Sequence, residues 1–120
     1  MMEIIEIAEE IERHIKLLEV GRKDLQRRSD KRADAIGAYE KQIGITMMKL
    51  KNGISFILED VEIINPPTTT TEKIARAICF KEKIDMEKAD TEYKLAVKGL
   101  DCIQAELNGY QSINRHLSSK

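Results

Sequence analysis

Aromatic residues are scarce in this chain. There is no tryptophan, and three tyrosines and two phenylalanines are spread over 120 residues. Net charge is also nearly absent, 20 basic side chains standing against 21 acidic ones. That balance argues against a polyanion mimic and against a protein that coats nucleic acid. The two cysteines, Cys79 and Cys102, lie on one expected helix, too far apart to bridge within it, and read as reduced thiols of a cytosolic protein. The start, Met1-Met2-Glu3-Ile4, has no basic stretch, and acidic residues break its apolar run, so neither a signal peptide nor a membrane span fits. Gly-rich phosphate loops, a nucleophile elbow, CxxC or HxxxH spacings and a paired acid set are all missing. Catalysis and a bound cofactor are therefore not expected.

What the chain has is charge and heptads. A third of its residues are Asp, Glu, Lys or Arg, as in long helices with solvated faces. Ile4, Ala8, Ile11, Ile15, Leu18, Arg22, Leu25, Ser29, Arg32, Ile36, Tyr39, Ile43, Thr46 and Leu50 step by alternating fours and threes. Ala75, Cys79, Glu82, Met86, Ala89, Tyr93, Ala96, Leu100, Ile103, Leu107, Tyr110, Asn114 and Leu117 form a second series. That spacing keeps one seam towards a partner helix. The expected fold is mainly α: a long antiparallel, coiled-coil-like helical hairpin with a short β-hairpin between its arms, as one domain over residues 1–120.

Residues 1–51 make the first arm, roughly 70 Å long if unbroken at 1.5 Å per residue. A break or kink is expected between Gly21 and Asp30. Arg22, Ser29 and Arg32 take seam positions there, glycine costs about 1 kcal/mol against alanine, and Ser29 or Asp30 offers a new cap. Gly37 and Gly44, seven apart, share a face where another backbone can come close. Asn52-Gly53 ends the arm. Residues 52–67 then hold a hairpin, Ile54–Leu58 and Val61–Ile64 around the weak turn pair Glu59-Asp60, closed by Pro66-Pro67. Its near-continuous apolarity asks for cover on both faces, most simply by a copy of itself, so Phe56, Leu58 and Ile63 are assigned to an oligomer interface. The second arm, 70–118, starts from Thr71 and Glu72 as cap chemistry and is expected to be interrupted at Gly99 and Asn108-Gly109. Folding the arms back brings Arg22 near Asp101.

Two polar constellations are candidate contact surfaces. The basic run Arg22, Lys23, Arg27, Arg28, Lys31 and Arg32 has Asp24 and Asp30 among it. Arginines suit bidentate phosphate contacts, although no aromatic interleaves them for base stacking; the plainer reading is a solvated face balancing the glutamates of residues 3–19. The box Asn108, Tyr110, Gln111, Ser112, Asn114 and Arg115 is rich in directional donors and acceptors, as a specific interface or ligand pocket requires. The plainer reading there is a helix end satisfying its own carbonyls. His14 and His116 fall towards one end of the hairpin with glutamates nearby, but without zinc-site spacing, and no metal is expected.

Pro66-Pro67, Glu72-Lys73-Ile74-Ala75-Arg76 and Leu107–Arg115 resemble small helical proteins from the early regions of phages and prophages of Gram-positive bacteria, reading frames of unassigned function. The resemblance spans roughly the last two thirds of the chain and carries no functional residues with it. It implies a bacterial host cytoplasm and a role in recombination or replication, or against host defence. The helix–hairpin–helix order is also similar to a β-type prefoldin subunit, in architecture alone. The leading expectation is a non-catalytic, oligomeric binding protein that sequesters or inhibits a host or phage macromolecule. Alternatives are a DNA- or RNA-binding accessory of phage recombination or replication, capture of a small nucleotide between subunits by Asn108, Tyr110, Gln111 and Arg115, and a chaperone-like role.

Overall fold

The structure, a computed structural model, describes residues 3–119. The chain runs through helix α1 (Ile4–Lys51), strands β1 (Phe56–Leu58) and β2 (Val61–Ile63), a 3-10 turn (Thr68–Thr70), helix α2 (Thr71–Ile78) and helix α3 (Phe80–Ser118). It is a mainly helical fold in which α1 and α3 pack antiparallel, with a two-stranded antiparallel sheet between them in sequence. Two compact units are distinguished: unit 1, residues 1–30 with 91–120, and unit 2, residues 31–90. Among the described residues, no helix is long and apolar enough to cross a membrane.

The expected break between Gly21 and Asp30 does not occur; α1 is continuous. Gly21 serves packing instead. A Cβ there would lie 2.5 Å from Leu100 Cδ2, the end of a flexible side chain, so Leu100 of α3 fills the space over Gly21 in unit 1. The C-terminal end of α1 is as the residue types require. Gly53 takes a φ of +80°, its N–H donates to the Leu50 carbonyl at 3.2 Å, and Ile54 N–H donates to the Lys49 carbonyl at 3.0 Å. These are the two hydrogen bonds of a Schellman cap.

The hairpin pairs Phe56 with Ile63, Ile57 with Glu62 and Leu58 with Val61. Glu59 and Asp60 both have positive φ, +50° and +63°, as a two-residue type I′ turn demands. Asn65 is also left-handed, at +45°, ahead of Pro66. Thr71 does not cap α2 as expected. It is the first residue of that helix, buried, and its hydroxyl donates back to the Pro67 carbonyl at 3.1 Å.

The second arm is interrupted at neither Gly99 nor Asn108-Gly109; α3 passes through both. Their surroundings are open, so each glycine costs only its own helix propensity. The interruption falls at Cys79, whose ψ of +27° separates α2 from α3. No proline or glycine marks that position in the sequence.

In unit 2 the core is Tyr39, Ile43, Leu50, Ala75 and Cys79, with Met47, Phe56, Ile63, Ile74, Ile78 and Met86 packed against it. Thr46 is buried beside Cys79, Oγ1 to Sγ 3.5 Å. In unit 1 the buried side chains are Ile7, His14, Leu18 and Leu107.

Candidate functional site

The most developed polar arrangement lies in unit 1, where the first turns of α1 meet the last turns of α3. His14 is 1% exposed. Its Nδ1 is 2.7 Å from the Glu10 carbonyl oxygen and its Nε2 is 2.8 Å from Glu106 Oε2. The Tyr110 ring lies against it, centroids 5.2 Å apart and planes tilted by 59°. Around this group, Arg13 binds the Glu10 carboxylate at 2.6 Å, which holds that carboxyl below its ordinary range. The Glu106 hydrogen bond, followed by the Glu10 carbonyl, pushes the His14 imidazole above its ordinary value. Glu106, Tyr110, Gly109 and Ile113, spaced along one face of α3, line a shallow cavity of about 250 Å³ beside the histidine.

The polar box is split by the unbroken helix. Residues 108, 111, 112 and 115 follow the spacing of one face, and Asn108, Gln111, Ser112 and Arg115 are all exposed. Tyr110 and Asn114 are half-buried on the seam side with Leu107 and Leu117. Asn108 accepts from Gln104 Nε2 at 3.0 Å. Tyr110 therefore lies on a different face of α3 from Asn108, Gln111 and Arg115.

The basic run is substantially paired. Arg27 and Arg28 both bind Asp24, the latter at 2.7 Å, and together they hold that carboxyl below its ordinary range. Arg28 also faces Glu92 at 3.9 Å, and Arg32 binds Asp90 at 2.6 Å. Lys31 has an interaction of its own. Arg22 and Lys23 are exposed, as is Asp101, the residue the register sets near Arg22.

Of the hairpin residues assigned to an oligomer interface, Phe56 and Ile63 are packed on the core of their own chain, and Leu58 is half-buried. The apolar residues turned away are others: Ile57 is 78% exposed and Ile64 55%. Cys79 is buried and Cys102 exposed, both as free thiols. Among the described residues, no group of three or more His, Cys, Asp and Glu side chains is placed to hold a metal ion.

Comparison with family models, with curated proteins and with solved structures finds no match to this chain.

The His14–Glu106–Tyr110 group was not assembled from the sequence. The strict heptad series passes through Ile15 and leaves His14 off the seam, so no signal linked it to residue 106.

Proposed function

We propose that the protein is a non-catalytic binding protein that self-associates through exposed apolar surface and, so assembled, captures a host or phage macromolecule. One observation carries the reading: among the described residues, fourteen large apolar side chains are exposed, against nine apolar residues that are buried. Single exposed apolar residues are ordinary, but an excess over the core, grouped on one element, is the mark of a surface that meets a partner. Here Ile54, Ile57, Val61 and Ile64 all crowd the short hairpin. Two helices sharing one buried stripe also need further cover to be stable at this length. The resemblance to phage early-region proteins supplies the setting, and Asn108, Gln111, Ser112 and Arg115 the exposed polar face for the captured molecule. The ion pairs on Arg27, Arg28 and Arg32 reduce what the basic run offers to a phosphate backbone.

Light scattering after size exclusion tests the self-association. The wild-type chain is expected above monomer mass at micromolar concentration, and Ile57→Thr with Ile64→Thr is expected to shift it towards monomer with helix content unchanged. A monomeric wild type defeats the reading. Tagged protein drawn from a bacterial lysate, with and without nuclease, tests the capture. A stoichiometric protein retained after nuclease and lost in Gln111→Ala/Arg115→Ala supports it, whereas nuclease-sensitive retention replaces it with nucleic-acid binding.

A further inference from the structure

We propose that His14 is kept as a buried imidazolium and acts as a pH-operated latch between α1 and α3, at the cavity lined by Glu106, Gly109, Tyr110 and Ile113. The Glu10 carbonyl oxygen can only accept, so Nδ1, 2.7 Å away, must carry a proton. An ionised Glu106 carboxylate can likewise only accept, so Nε2, 2.8 Å away, must carry one too. A neutral imidazole has one N–H and satisfies only one of these contacts. Its bare Nε2 lone pair would face the carboxylate. Only the doubly protonated ring satisfies both contacts at a site 1% exposed to solvent.

The groups facing the ring come from both helices. From α1 there are the Glu10 carbonyl, the Glu10 carboxylate 3.7 Å from Nδ1, and Arg13, whose charge opposes a second cation but is bound to Glu10. From α3 there are Glu106 and the Tyr110 ring. The latch has a way to open, because the Glu106 side chain is 62% exposed and can turn into water once the ring is neutral. Glu106 and Tyr110 are also walls of the cavity, so opening changes its shape.

The direction in pH follows from the imidazole being more basic in the folded chain than its ordinary value of 6.5. The contribution is fully present below 6.5 and is lost as pH rises from there through the higher folded value. Across that window the folding constant falls by up to about tenfold per pH unit.

The experiment is a pH titration of the histidine ring nitrogens by NMR, run beside a thermal-unfolding series. Both His14 ring nitrogens are expected to remain protonated above the pH at which histidine in a short peptide is neutral. The Tm is expected to fall as pH rises from 6.5. Glu106→Gln, a change at an exposed side chain, is expected to return the His14 titration towards the peptide value and flatten the Tm profile. A ring that is unprotonated at Nε2 near neutral pH, as a protonated Glu106 would leave it, overturns the proposal. So does a Tm profile with the same slope in Glu106→Gln.

Discussion

At the residue scale, the glycines of α1 and α3 show how one residue type meets opposite surroundings. Gly21 meets Leu100 Cδ2 at the distance where a methyl group forces a shift, whereas Gly37, Gly44 and Gly99 have open space where a side chain would go. Alanine at each of the open positions is expected to stabilise by about 0.5–1 kcal/mol, because it restricts the unfolded chain and suits the helix. Gly21→Leu is expected to destabilise, since Leu100 can rotate away from a methyl but not from a branched side chain. Urea unfolding of the four variants checks both signs. The open glycines also bear on assembly. Within the chain no backbone approaches Gly37 or Gly44, so if alanine there stabilises the monomer but weakens self-association, the second copy uses that face.

At the scale of elements, the hairpin turn is the point of greatest local conflict. A type I′ turn needs positive φ at both central residues, and it is made here from Glu59 and Asp60. Left-handed backbone costs a non-glycine residue about 1–2 kcal/mol. Glu59→Asn with Asp60→Gly is therefore expected to raise stability by about 1 kcal/mol, seen as an upward shift in Tm at an unchanged spectrum. The hairpin itself was legible: two apolar runs around a polar pair, ahead of a Pro-Pro that cannot pair. Its face assignment was not, because alternation gives two faces without saying which one meets the helices.

The helices divide in the same way. Every position of the second heptad series, from Ala75 to Leu117, is buried or half-buried. The first series holds from Leu50 back to Leu25, and again at Leu18 and Ile11, but Ala8, Ile15 and Arg22 are exposed, and Ile7, His14 and Gly21 take their place. A straight α-helix drifts by about 20° per heptad from a strict 3.5-residue repeat. Over the five heptads back from Leu50 the drift reaches about one residue, which moves the seam from Ile15 to His14. The sequence series assumed supercoiling throughout; the observed stripe follows the helix's own period. The candidate site was lost to that one-residue slip. The break expected at Gly21 was misread for a different reason, since propensity cannot tell a glycine that ends a helix from one that admits a neighbour.

For the whole molecule, the two units differ in what holds them. Unit 2 has a contiguous apolar cluster with the hairpin packed on it, while unit 1 rests on Ile7, Leu18 and Leu107 beside the buried His14. Leu107→Ala is expected to cost about 2–5 kcal/mol. Hydrogen exchange then shows where the loss falls: faster exchange confined to residues 4–30 and 91–118 means the units open separately, and a uniform rise means they unfold together.

The contacts also differ in how much chain they enclose. Thr46 meets Cys79 across 33 residues, whereas His14 meets Glu106 across 92. During synthesis, residues 31–90 can find one another as soon as they have been made, but residues 1–30 have their partners only in residues 91–120. Residues 4–30, with Ile4, Ile5, Ile15, Leu17 and Val20 already exposed in the finished fold, therefore wait with their seam uncovered while residues 31–90 are made.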